Sequence, residues 1–122
     1  MNVLLGIGGS DDSLRALEET IERAKAAGDD LTVVVLENPE SDRETGEIES
    51  RVFEALETAA FAAEVRQLSG DPGSQLVDLA ERGEFDQIVL GGGQRSPMGK
   101  IKLGHIAEFV LLNSAVSVKL VR

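Results

Sequence analysis

Two glycine-rich corners carry most of the chemistry this sequence offers. One is Gly91-Gly92-Gly93-Gln94-Arg95-Ser96-Pro97-Met98-Gly99-Lys100, directly after the apolar residues 87–90; the other is Gly8-Gly9-Ser10, directly after the apolar run Asn2–Ile7. Glycines turn freely and expose backbone N–H groups, and Arg95, Lys100 and Lys102 add positive charge. That combination suits a phosphate or another anion. Charge along the chain points the same way. Residues 1–86 carry a formal −14 and residues 87–122 carry +4 within the total of −10, with Glu108 the sole acid of the second part. A plainer explanation stands beside this one: the glycines only let a strand turn into a helix, and the cations are solvated.

No established phosphate motif fits outright. A P-loop needs Gly, four residues, then Gly-Lys-Ser/Thr. Around Gly99-Lys100 the first glycine is replaced by Gln94 and the hydroxyl by Ile101. A dinucleotide fingerprint starting at Gly6-Ile7-Gly8 meets Asp11 where its third glycine belongs, although Glu37 stands where a ribose-binding acid would. A phosphoacceptor receiver accounts for Asp11 and Asp12, yet Ser69 stands where its aspartate is needed and Lys119 lies inside the last strand. Catalysis finds even less support. Ser10, Ser96, Ser114 and Ser117 have no GxSxG elbow, and His105 is the only imidazole. Pairs such as Glu18-Glu19 and Asp29-Asp30 read as solvated surface, so the chain is expected not to be an enzyme.

The 122 residues, 42% hydrophobic, suit a single domain over residues 1–122 with one core. With four Phe and no Trp or Tyr, stacking of nucleic-acid bases is poorly supported, and the acidic balance repels nucleic acids and anionic membranes. No apolar stretch of about 18 residues and no signal-peptide pattern occur, so a soluble, cytoplasmic protein is expected. The absence of cysteine excludes disulfides and thiolate chemistry, and a single His argues against a structural zinc site. Many acids and only four lysines suit a salt-rich, halophilic cytoplasm, where screening relaxes self-repulsion; an ordinary acidic cytosolic protein explains them equally.

The corners must be positioned by alternating strands and helices. Residues 2–7 and 31–36 read as buried strands. Ser10 caps a helix with Leu14, Leu17, Ile21 and Ala24 on one face, stopped by Gly28. Residues 37–46 form the most mobile loop expected. Ile48, Val52, Leu56 and Ala59 mark a second helix, and residues 61–68 an edge strand. Asp71-Pro72 opens a third helix, with Leu76, Val77, Leu79 and Ala80 inward and Gly83 as its stop. Residues 87–90 form a fourth strand, and Ser96-Pro97 begins a short helix through Lys102. Gly104 leads into a helix with Ile106, Ala107, Val110 and Leu111 inward, and residues 115–121 form the last strand. This order implies a three-layer α/β/α fold with a mostly parallel sheet. Ligands then sit outside the carboxyl ends of the strands, where both corners fall.

Taken in order, the elements resemble the universal stress protein (UspA-like) family over essentially the whole chain. The likeness rests on the first strand running into Gly-Ser, Arg15-Ala16-Leu17, and Ser69-Gly70-Asp71-Pro72. It continues through Phe85-Asp86-Gln87-Ile88-Val89-Leu90-Gly91, Gly104-His105-Ile106-Ala107-Glu108 and the ending at residues 116–122. The resemblance implies a single-domain, five-stranded parallel sheet of the adenine-nucleotide-alpha-hydrolase-like type, and a stress-response regulatory role. It also implies a homodimer joined through the last strand, residues 115–121. Some members bind ATP through Gly, two residues, Gly, nine residues, Gly and Ser/Thr. Here that register falls on Gly91, Gln94, Gly104 and His105, and the strand-one Asp of ATP-binding relatives is replaced by Gly8. The implied site is a nucleotide or anion cleft of degenerate motif, formed by Gly8, Gly9, Ser10, Gly91, Gly92, Gly93, Gln94, Gly104 and His105, with Arg95 and Lys100 attracting charge. The alternative is a dimeric scaffold of the same fold that binds no nucleotide; slow ATP hydrolysis ranks last.

Overall fold

The computed structural model describes residues 1–39, 41–92, 94–95, 101–102 and 104–122, with the side chains of Gln94, Arg95, Ile101 and Lys102 excepted. In chain order the elements are β1 (Asn2–Ile7), α1 (Asp11–Ala27), β2 (Asp30–Leu36), α2 (Thr45–Thr58), β3 (Glu64–Leu68) and α3 (Pro72–Arg82). They continue with β4 (Gln87–Gly91), β5 (Gln94–Arg95), β6 (Ile101–Lys102), α4 (His105–Asn113) and β7 (Ser117–Val121). Five strands form one parallel sheet in the order β3-β2-β1-β4-β7.

Alternate residues of the central strands bury opposite faces. Val3, Leu5 and Ile7, with Val33, Val35 and Val89, pack under α1 and α2 against Leu17, Ile21, Ile48 and Val52. Leu4, Val34, Leu36, Ile88 and Leu90 pack under α3 and α4 against Leu76, Leu79 and Val110. Covered on both faces, these strands need no polar alternation, which is why they read as continuous apolar runs. Local signals set the helix ends. The Ser10 hydroxyl accepts the Ser13 amide at 3.1 Å, and Gly28 closes α1 in the left-handed region at φ 72°. Asp71 accepts the Ser74 amide at 3.0 Å, with Pro72 in the first turn of α3. Hydrogen bonds from Ser74 hold the Asp71 carboxyl below its ordinary pKa.

Four local expectations change. The edge strand starts at Glu64, not at residue 61. The last strand starts at Ser117, not at residue 115, whereas Gly83 stops α3 as expected. The expected helix ending at Lys102 is not formed there: Ile101 and Lys102 pair antiparallel with Arg95 and Gln94, so that segment satisfies its backbone across a ribbon. Residues 96–100 of that expectation lie outside the described residues. Leu111, expected inward, is 42% exposed, because α4 buries Ala107 and Val110 instead. Among the described residues no helix is long and apolar enough to cross a membrane.

Candidate functional site

Strand placement runs outward from β1 through β2 to β3 on one side and through β4 to β7 on the other. A parallel sheet opens a crevice at such a reversal, outside its carboxyl ends. Here a cleft of about 930 Å³ lies over the β1–β4 junction. Gly8, Gly9, Ser10, Gly91, Gly104 and His105 all line it, so the two glycine corners meet as expected.

Other expected residues fall elsewhere. Gly92 does not line the cleft. Its amide donates to the Val121 carbonyl at 2.9 Å, and a Cβ there would lie 2.9 Å from the Leu120 side chain. It belongs to the packing of β4 against β7. Gln94 and Arg95 contribute backbone to β5, and Gly93 and Lys100 lie outside the described residues.

Gly91 draws the two corners together, and Gly9 shapes the first of them. Gly9 has φ 89°, and a Cβ there would sit 2.5 Å from the Ser41 hydroxyl. A Cβ on Gly91 would sit 2.5 Å from backbone atoms of both Asp12 and Ser13. Gly91 therefore serves close approach of backbone to backbone, while Gly9 supplies a left-handed turn packed against the Ser41 and Ile48 side chains. Gly8 is less constrained, with an added Cβ 3.3 Å from Asn38 Nδ2 and 3.4 Å from Ile106 Cδ1.

Three helices bring their first turns to the cleft, and they differ in how those turns are satisfied. The start of α1 is closed by its own side chains: the Ser13 hydroxyl accepts the Gly9 amide at 3.1 Å and donates to the Ser10 carbonyl at 2.7 Å. Ser10 is thus a cap within the cleft wall. The start of α3 is closed by Asp71. The start of α4 has Gly104 at the cap position with no side-chain hydrogen bond, and nothing lies within 4 Å of where its Cβ would be. First-turn N–H groups have no partner within their own helix, and the helix dipole adds partial positive charge there. His105 is exposed beside it.

Among the described residues the lining holds more acidic than basic groups, while the side chains of Arg95 and Lys100, expected to attract charge, lie outside the described residues. Asp11, Asp12, Asp42 and Asp71 line the cleft, against Arg43 and His105. The fold brings the acidic turns after β1, β2 and β3 to the rim where β4 ends and α4 begins. Asp12 pairs with Arg15. Arg43 donates from Nη1 to the Gly9 carbonyl at 2.6 Å and from Nη2 to Asp11 Oδ1 at 2.8 Å. Asn38 Nδ2 donates to the Gly8 carbonyl at 3.0 Å. These bonds tie the loop after β2, expected to be mobile, to the β1–α1 turn. Arg43, Asn38 and Ser13 escaped the sequence reading. The available signal was position: residues just after β2 must share the rim with those just after β1. Among the described residues, no group of three or more His, Asp or Glu side chains is placed to hold a metal ion.

The structure superposes on known universal stress proteins. One from Archaeoglobus fulgidus is 25% identical, with a TM-score of 0.81, covering 100% of this chain and 98% of that one. A universal stress protein in complex with cAMP is 24% identical, with a TM-score of 0.76 and coverage of 100% and 96%. An Archaeoglobus fulgidus universal stress protein in complex with dAMP is 22% identical, with a TM-score of 0.74 and coverage of 100% and 98%. No curated protein matches the chain. The model of the universal stress protein family matches residues 1–122, and the chain belongs to that family.

Proposed function

We propose that the cleft over the β1–β4 junction binds an adenine nucleotide, and that the protein acts as a stress-response regulatory module without catalysis of its own. The observation that carries this reading is the convergence of Gly8-Gly9-Ser10 and Gly91 with the start of α4, whose cap residue Gly104 has no side chain to close it. A phosphate fits that helix start, and the nucleoside extends toward Gly8 and Asn38. The ligand class is supported by relatives of the same fold bound to cAMP and dAMP. Calorimetric titration with ATP, ADP, AMP and cAMP tests it, together with extraction of nucleotide from the purified protein. Heat and a thermal shift are expected; neither at millimolar nucleotide removes the reading.

A second reading, a dimeric scaffold, is favoured by a different observation. Strand β7 is a sheet edge, and Leu111 and Leu112 on the preceding helix are 42% and 77% exposed. The inward faces of Val116, Val118 and Leu120 already pack on the core, so pairing would use the strand edge itself. A dimeric mass by light scattering at micromolar concentration is expected, and a monomeric one removes this reading. Pairing through the β7 edge is compatible with a nucleotide in the cleft, since the two are separate surfaces, whereas a scaffold that binds no nucleotide excludes the first reading.

A further inference from the structure

We propose that a second cavity, at the amino ends of β1, β2 and β3, binds a small organic ammonium ion. The Thr32 hydroxyl and the Glu64 carboxylate accept from its nitrogen, and Leu79 and Phe85 hold its apolar body. This site is independent of the nucleotide reading, because it lies at the opposite end of the sheet from the β1–β4 cleft.

The cavity has a volume of about 700 Å³, in the range of small-molecule sites. Its floor follows from strand register. Thr32 stands between Leu4 of β1 and Glu64 of β3, and alternation along β2 puts it on the face of Val34 and Leu36. The wall is the end of α3: Leu79, Gly83 and Phe85 line the cavity. The Phe85 ring lies over Gly83, where an added Cβ would sit 2.5 Å from Phe85 Cε2.

Thr32 is the informative residue. It is 7% exposed in a strand whose other buried residues are all Leu or Val, and its hydroxyl makes no hydrogen bond among the described residues. No fully buried side-chain oxygen of the described residues is left without a partner, so this one opens into the cavity it lines. Valine would fill the same space without the cost of burying a hydroxyl, so the oxygen points to a polar occupant.

The charge around the opening favours a cation. Asp29, Asp30 and Glu64 line it, against Arg66. Asp29 already holds one ammonium group, the Met1 amine, at 3.0 Å. That amine's pKa is raised by hydrogen bonding to Asp29 above all, and further by the charges of Asp86 and Asp30. Glu64 gives Oε1 to Arg66 Nε at 2.7 Å, in a pair about half exposed and therefore weak, and its Oε2 has no partner among the described residues. The last carbonyls of α3 add partial negative charge at Gly83. The basic segment after β4 leaves at Gly92, beside the end of β7, and returns at Gly104 in the cleft, both at the other end of the sheet. An ammonium group has three donors and no acceptor, which matches Thr32 Oγ1 and Glu64 Oε2.

The test follows the backbone amides of the full chain by NMR at neutral pH and low salt while n-butylammonium chloride is added. n-Butanol and sodium butyrate serve as probes of the same length with no charge and with the opposite charge. Saturable shifts at Thr32, Glu64 and Phe85 are expected with butylammonium at millimolar concentration, and with neither of the other two. Thr32→Val keeps the branched shape and removes the hydroxyl, and Glu64→Gln removes the charge from an exposed side chain, so both variants are expected to fold. Each should weaken butylammonium binding about twofold to tenfold. Added salt should weaken it as well. Equal shifts with butanol overturn the proposal and make the cavity a merely apolar groove. The absence of any saturable shift with butylammonium overturns it too, leaving Thr32 to an ordered water, and so does binding that neither variant changes. None of these outcomes bears on the nucleotide cleft.

Discussion

A Cβ on Gly91 would lie 2.5 Å from the backbone nitrogen of Ser13, so the end of β4 and the first turn of α1 touch backbone to backbone. Ser13 in turn accepts the Gly9 amide at 3.1 Å. One chain of contacts thus fixes both glycine corners of the cleft. Backbone atoms cannot swing aside as a side chain end can, so Gly91→Ala must push β4 and α1 apart. Destabilisation of about 1–3 kcal/mol is expected, measured as a lower urea midpoint with an unchanged slope. A midpoint equal to that of the unaltered protein would mean that the approach relaxes freely.

Gly104 is the contrasting glycine, because its Cβ position is open and its φ of −71° and ψ of 162° suit a capping side chain. Gly104→Ser should therefore place a hydroxyl over the first-turn N–H groups of α4. A gain of a few tenths of a kcal/mol in stability is expected. Nucleotide affinity should fall at the same time, because the new hydroxyl occupies the donors assigned to the phosphate. Thermal melts and calorimetry on one preparation check both halves. A rise in affinity would place the phosphate elsewhere.

These two glycines show what was legible in the sequence. Caps and stops were, because Ser10, Gly28 and Asp71-Pro72 act on residues next to them. The buried strands β1 and β2 were, because burial on both faces leaves an unbroken apolar run. The division of labour between Gly91 and Gly92 was not. Neighbouring strand residues point to opposite faces, and what each meets depends on the register with β7 and the seating of α1. The acidic share of the described lining was hidden for the same reason: Asp11, Asp42 and Asp71 are distant in sequence and become neighbours only through the strand order. The ribbon of β5 and β6 is two residues per strand, too short for any period to reveal.

Arg43 holds the loop after β2 by two hydrogen bonds from one partly buried guanidinium. Arg43→Met keeps much of the stem and removes both bonds. Stability should fall by about 1 kcal/mol, modest because the Arg43 side chain remains 28% exposed and its ion pair is solvent-screened. The clearer signature is local. The Ser41 amide, bonded to the Asn38 carbonyl at 3.0 Å, should exchange its hydrogen faster while amides of β1 keep their protection. Equal exchange at Ser41 in both proteins would show that Asn38 alone suffices to hold the loop.

Asp71 links helix capping to acid stability. Its carboxyl is held below the ordinary aspartate pKa in the folded chain by hydrogen bonds from Ser74, and returns to the ordinary value on unfolding. The unfolded chain therefore takes up this proton at a higher pH than the folded one. The contribution to stability is present above the ordinary aspartate pKa and is lost as pH falls through the depressed folded value. Asn accepts the same amide hydrogen but carries no charge, so Asp71→Asn keeps a cap and removes the titration. Melting temperatures recorded from about pH 6 down to about pH 2 should fall less steeply for the variant, with parallel curves at the upper end of that range. Identical slopes in acid would assign the loss of stability to other carboxylates, and a steeper slope in the variant would contradict the depressed pKa.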